Sequence, residues 1–340
     1  MTATIDDVAE AAGVSRSTAS RALSGHPSVR PATREHVLLV AERLNYRADP
    51  VARALRAGNS GLIGLVLTNL LNPSIQEIAE TIQTLGHESE LEVLIATTNG
   101  RADREQRVIG ALTSHRVDGL IVMGSAESAP LLNSLYSGGL PLVELIRLPG
   151  EIRTPSVVYD DLAAGRIATE HLLAAGHRRI AFLGGPADTR SGRERYQGFV
   201  DALGSRGITV NPVDVFRGEF LSAFGAAAMS QFLDGHTRAS GLVVANHEAM
   251  FGGLQVLAQH GVAIPASLSV VAVEDEALLS FWHPPITVVD TMPGKLAEAA
   301  MQLMLHQLGQ GERPSEPGPA VPTVMPVRLI ERASTAPLRN

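Results

Sequence analysis

Thr4-Ile5-Asp6-Asp7-Val8-Ala9-Glu10-Ala11-Ala12-Gly13-Val14-Ser15-Arg16-Ser17-Thr18-Ala19-Ser20-Arg21-Ala22-Leu23-Ser24 reads as two short helices broken at Gly13-Val14. Thr4 and Asp7 have capping-box spacing: the hydroxyl takes an orphan amide of the first turn and the acid reaches back. Gly13 suits the left-handed conformation that ends a helix, and Ser15 can cap the next one. Val8, Ala9 and Ala12 share a face and can meet Ala19, Ala22 and Leu23, small enough to let two helices cross as in a helix-turn-helix. The other face of the second helix offers Arg16, Ser17, Ser20 and Arg21, whose donors and hydroxyls suit base edges and phosphates in a major groove. An ordinary helical hairpin with a solvated polar face is the competing reading of this stretch.

Pro31 opens a third helix to about Leu44, with Val37, Val40, Ala41 and Leu44 at helical spacing. Asn45 to Pro50 is a turn-rich joint, and Pro50 to Arg56 can form one or two helical turns, marginal alone and in need of a partner. From Leu62 strands alternate with helices: Leu62–Leu67, Leu91–Ala96, Gly119–Met123 and Leu140–Val143, then Val157–Tyr159, Arg179–Leu183, Gly241–Val244 and Leu268–Val273. Helices near 73–88, 103–115 and 128–137 separate the first four. That order implies parallel, doubly wound sheets with helices on both faces, and two successive sets imply two subdomains with a cleft between. Gly309 to Pro326 reads as a surface connection before a strand at Val327–Ile330.

The expected fold is an all-α helix-turn-helix headpiece (1–48), a hinge helix and linker (49–60), and an α/β body of two doubly wound parallel-sheet subdomains (61–335). The first subdomain is expected at about 61–157 plus 291–320, the second at about 158–290 plus 321–335. A chain of 340 residues, 45% hydrophobic and 19% charged, can bury a sizeable core in more than one domain. No run of about 18 uncharged apolar residues and no secretory leader is visible, and there is no cysteine, so a cytoplasmic protein is expected. The net charge of −7 is unevenly spread: residues 1–60 hold eight arginines against six acids, while the remainder holds 20 bases against 29 acids. A weakly basic head on an acidic body is compatible with nucleic-acid binding confined to the head.

Head and body together resemble the LacI/GalR family of bacterial transcription regulators, whose body is periplasmic-binding-protein-like (type I). The resemblance rests on Ala3–Ala9, Gly13-Val14-Ser15, Thr18–Arg21, Thr33-Arg34, Leu44-Asn45-Tyr46 and Val51–Leu55 in the head. In the body it rests on Arg116–Val122, Gly176–Ile180 and Leu329–Ser334. It implies that Arg16 and Ser17 are a base-reading pair, that Arg21 makes a further DNA contact, and that Leu55 wedges into the minor groove at the operator centre. Thr4, Ser15, Thr18, Ser20, Ser24, Tyr46, Ala52 and Arg53 complete the implied DNA surface. Arg30 stands where a Ser or similar cap is usual before the third helix, which weakens that cap.

The resemblance also implies an effector cleft containing Asn72, Ser74, Ile75, Ile146, Arg147, Arg190, Ser191, Arg195, Phe220, Asn246 and Glu274. Here the chain departs from the family's pattern. Ile146, followed by Arg147, stands where an acid is usual; His247 replaces the Asp after Asn246; Glu274 replaces an Asp, with Asp275 beside it. Fewer carboxylates and several arginines suggest an anionic effector such as a sugar acid or sugar phosphate, with a neutral sugar as the alternative.

Catalysis is not expected: no Gly-x-Ser-x-Gly elbow, P-loop or His-Glu-x-x-His is present, and Gly184-Gly185-Pro186 is not a dinucleotide fingerprint. His171 and His177 read as helix-surface or capping residues. No cofactor or metal is implied. The expectation is a homodimeric repressor on a pseudo-palindromic operator, switched by a small molecule. An effector-independent architectural DNA binder and a solute-binding protein of the same body fold are the alternatives.

Overall fold

The computed structural model describes residues 3–24, 26–46, 59–147, 154–236, 238–310 and 321–338, in two compact units, Met1–Gly61 and Leu62–Asn340. In the first unit, helices α1 (Ile5–Ala11), α2 (Arg16–Leu23) and α3 (Pro31–Arg43) enclose a small core of Val8, Ala9, Ala12, Ala19, Ala22, Val29, Val37, Val40 and Ala41. The expected caps are present. Thr4 Oγ1 accepts from the Asp7 amide while Asp7 accepts from the Thr4 amide at 2.7 Å, a complete capping box. Gly13 has φ +65°, and Ser15 Oγ accepts from the Thr18 amide at 3.2 Å. Arg30 gives α3 no side-chain cap, leaving Pro31 to start it. Ala52, Arg53 and Leu55, with the hinge they were expected to form, lie outside the described residues.

The second unit holds two six-stranded sheets. The first runs β11-β5-β4-β3-β1-β2, from Leu62–Leu67 (β1), Glu92–Thr97 (β2), Gly119–Val122 (β3), Leu142–Leu145 (β4), Ser156–Tyr159 (β5) and Thr323–Met325 (β11). The second runs β12-β10-β9-β8-β6-β7, from Ile180–Gly184 (β6), Val215–Arg217 (β7), Gly241–Val244 (β8), Ser269–Val273 (β9), Thr287–Asp290 (β10) and Arg328–Ile330 (β12). All pairings are parallel except β10 with β12. In the first lobe, α4 (Pro73–Glu88) and α11 (Pro293–Leu305) cover one face, with α5 (Ala102–Ser114) and α6 (Ala129–Ser137) on the other. In the second, α7 (Asp161–Ala174) and α8 (Arg190–Gly204) lie on one face, with α9 (Ser222–Gln231) and α10 (His247–Gln259) on the other. Central strands buried on both faces explain their unbroken apolar runs.

The chain passes between lobes three times: after β5, after β10, and between β11 and β12. Two details differ from the sequence expectation. Thr323–Met325, inside the segment read as a surface connection and placed with the second subdomain, pairs in register with Val157–Tyr159 and so extends the first sheet. Three residues with Pro322 and Pro326 on either side carry too little periodicity to read as a strand. Val215–Arg217 adds an equally short, half-buried edge strand to the second sheet. His177, read as a helix-surface or capping residue, is buried just past the end of α7, with Nδ1 against Ser240 Oγ at 2.8 Å and Nε2 against the Ala336 carbonyl at 3.2 Å, tying the C-terminal segment down. No helix among the described residues is long and apolar enough to cross a membrane.

Candidate functional site: a recognition helix and an interlobe cleft

On α2 the buried Ala19 and Ala22 turn inward, while Arg16, Ser17 and Arg21 are exposed and Thr18 and Ser20 half-buried. Ser15 Oγ is shared: besides capping, it lies 2.9 Å from Ser17 Oγ and 2.8 Å from Thr18 Oγ1. The cap thus orients two hydroxyls at the amino end of the helix. Arg16 pairs loosely with Asp6 of α1 at 3.4 Å, both largely exposed, which leaves the guanidinium available to a stronger anion. Ser24 Oγ donates to the Arg21 carbonyl at 3.2 Å. Tyr46 is half-buried against the headpiece core, so only part of its ring faces outward.

In the body, the loops after β1, β4, β6, β8, β9 and β10 carry the polar residues, at the carboxyl ends where open parallel sheets bind ligands. Three non-glycine residues there are left-handed: Ile146 (φ +59°), Glu274 (φ +78°) and Met292 (φ +51°). Such backbone costs energy and persists where surrounding structure over-determines it, a pattern of functional sites.

A continuous polar network joins the lobes. Asp161, in the first turn of α7 and fully buried, accepts from Arg195 Nε at 2.8 Å and from Arg190 Nη1 at 3.0 Å. Arg195 Nη1 also donates to the Ala245 carbonyl at 2.6 Å and to Glu274 at 2.9 Å. Burial alone would push the Arg195 pKa down, but Asp161 and Glu274 outweigh it and hold the guanidinium above its ordinary value. Asn72 Nδ2, at the N-cap of α4 in the first lobe, lies 3.5 Å from both Glu274 and Glu248 of the second. Asn246 Nδ2 donates to Glu248 at 2.9 Å. Close packing fixes this arrangement: Gly165 and Gly198, where α7 and α8 cross, leave no room for a Cβ against the Arg195 and Leu162 carbonyls.

Asn72, Arg190, Arg195, Asn246 and Glu274 therefore converge. Phe220 stacks over Gly185, where a Cβ would collide with its ring. Ser191 is half-buried in the first turn of α8. Ile75 belongs instead to the first-lobe core, and half-buried Ile146 packs against that core. Half-buried Arg147 sits in the fields of Glu105 and Glu248; burial lowers its pKa against their pull. Arg190 and Arg195 are engaged by carboxylates of the protein itself, including Glu194 on Arg190 at 2.6 Å. Sequence reading missed Asp161, Glu194 and Glu248. Asp161 follows a second acid in Asp160-Asp161, a plain helix-start pattern, and only folding shows that Asp160 caps while Asp161 turns inward to Arg195. His247 Nδ1 faces Glu276; burial lowers the imidazole pKa, but Glu276, Glu274 and Glu248 raise it overall.

Comparison with known proteins agrees with this geometry. Residues 4–49 match the bacterial regulatory proteins of the lacI family, and residues 169–335 match the periplasmic binding protein-like domain. The chain belongs to the LacI/GalR family of bacterial transcriptional regulators. It is 27% identical to the HTH-type transcriptional repressor PurR of Aliivibrio salmonicida (strain LFI1238), covering 90% of this chain and 92% of that one. Among solved structures, a Lac repressor dimer bound to operator and the anti-inducer ONPF superposes with TM-score 0.85 at 26% identity, over 99% of this chain and 100% of that one. A CelR–cellobiose complex gives TM-score 0.71 at 28% identity, over 98% and 99%.

Proposed function

We propose that the chain is a homodimeric repressor that binds a pseudo-palindromic operator through α2 and is controlled by a small hydroxyl-bearing effector in the interlobe cleft. The observation that carries this reading is the Asn72 amide, set between Glu248 and Glu274 of the opposite lobe. Both contacts are long, so an effector that hydrogen-bonds these groups can replace them at little cost and reset how the lobes meet. Carboxylates and amides in this density accept from hydroxyls. With Arg190 and Arg195 engaged, an anion would meet more repulsion than welcome. The Lac repressor dimer on operator and the CelR–cellobiose complex support the same division of labour.

The exposed face of α2 would supply Arg16, Ser17 and Arg21 to base edges, with Thr4, Ser15, Thr18, Ser20 and Ser24 positioning it on the backbone. The effector's leverage equals its difference in affinity between the two states, about 1–3 kcal/mol in most coupled systems. The test is selection of bound sequences from a random DNA pool, followed by operator titration with and without neutral sugars. A palindromic consensus whose affinity shifts with one sugar is the expected outcome. A consensus insensitive to every metabolite tried would favour an architectural DNA binder, and no consensus at all would reject the reading.

A further inference from the structure

The cleft carries more carboxylates than its arginines can balance. Arg195 lies between Asp161 and Glu274, Arg190 between Asp161 and Glu194, and the charge of Arg147 is divided between Glu105 and Glu248. Each of these three guanidinium groups thus serves two acids. Glu248 and Glu274 have one donor between them from the facing lobe, the neutral Asn72 amide, at a distance too long for a strong bond. A separate observation points the same way. Asn246 is 2% exposed, with its Nδ2 bound to Glu248, yet its Oδ1 has no hydrogen-bond partner. A buried carbonyl without a donor is a cost that a bound molecule can remove.

We propose that the effector carries an ammonium group alongside its hydroxyls, in the class of aminated sugars, and that Glu248 with Glu274 receives that group while Asn246 Oδ1 accepts one of its N–H or O–H donors. The inference rests on the sugar-type effector reading above and deepens it. A neutral sugar satisfies the acceptors but leaves the excess charge; a sugar acid adds to it. An ammonium does both tasks, because a charge-assisted bond to a carboxylate in a half-buried site is stronger than a neutral one. Glu248, two residues past Asn246 and reaching Asn72 of the other lobe, is then the residue that sets the preference.

The test uses the full-length chain and calorimetric titration with hexosamines, the parent hexoses, the N-acetylhexosamines and the hexuronic acids of matching configuration. Binding at least tenfold tighter for one hexosamine than for its hexose and its N-acetyl form is expected, with the advantage fading as pH rises through the amine's pKa. In Glu248→Gln the ratio of hexosamine to hexose affinity should fall toward one. A hexose, N-acetylhexosamine or hexuronate that binds as tightly as the amine overturns the inference but keeps the sugar-effector reading. Failure of all four classes to bind overturns both. The N-acetyl arm separates charge from hydrogen bonding without a substitution, so the result does not depend on how Glu248→Gln folds.

Discussion

Arg195 shows what a single residue does in this cleft. Its guanidinium is buried and holds two carboxylates, Asp161 and Glu274, that would otherwise repel each other. Truncation leaves Glu274 without its guanidinium and Asp161 with Arg190 alone, and breaking a buried pair costs about 3–5 kcal/mol. Arg195→Ala should therefore lower the melting temperature sharply as well as weaken effector binding, and Arg195→Lys should recover only part of each, since one ammonium cannot reproduce the planar fork. A melt within a degree or two of wild type would mean that water replaces the guanidinium. Glu144 poses the opposite case. It is buried on β4, with Thr154 Oγ1 donating to one oxygen at 2.5 Å and no partner for the other; burial first, and Glu105 nearby, push its pKa up to about 7. The folded chain then holds a proton that the unfolded chain has released, so stability falls as pH rises from the ordinary carboxylate range through 7. Glu144→Gln removes that loss, and Ser156 Oγ, its unpartnered cross-strand neighbour, can accept from the new amide. Thermal melts at about pH 8 should favour the variant by about 2–3 kcal/mol, with the difference closing toward pH 5.

At the scale of elements, the headpiece was the most legible part of the sequence because its signals are local. Capping box, Gly13 turn and Ser15 cap each depend on residues within four positions, and each is present as read. Ser15→Ala should cost about 0.5–2 kcal/mol of headpiece stability. It also releases Ser17 and Thr18, so operator affinity should fall by more than the lost stability alone accounts for; circular dichroism melts and operator titration give the two numbers. The long central strands were equally plain, since burial on both faces writes continuous apolar runs. The short edge strands Thr323–Met325 and Val215–Arg217 were not, because three half-exposed residues hold no period and take their conformation from the neighbour they pair with. The cleft fared in between. Asn72, Arg195, Asn246 and Glu274 stood at matching positions, but their charge balance depends on Asp161 and Glu194. A sequence cannot show that these two turn toward the arginines, and without them the arginines looked free.

At the scale of the whole molecule, the proposed mechanism needs two copies of the chain, and the second lobe offers a place for them. Leu221 and Phe251 are each 52% exposed and Phe281 is 70% exposed. The elements that carry them adjoin: Gly252 packs against the Ser222 carbonyl at the start of α9, and Phe251 lines a small cavity with Leu278 and Leu279 of the short helix Ala277–Phe281. Grouped apolar exposure of this kind marks an interface more often than chance. Phe281 is the residue to change, because in a single chain it contacts little and its loss should leave the fold intact. Phe281→Asp would set two carboxylates into a self-complementary apolar face, since a two-fold interface repeats every substitution on both sides. Sedimentation should then show a monomer. A monomer binds one half-site at a time and forfeits the effective concentration that joins the second headpiece, so affinity for a full palindrome should drop by about 10²-fold or more. Affinity for an isolated half-site and for the effector should both stay as in wild type, which separates lost assembly from lost folding. A Phe281→Asp chain that remains dimeric would move the interface to another surface and leave the cleft chemistry untouched.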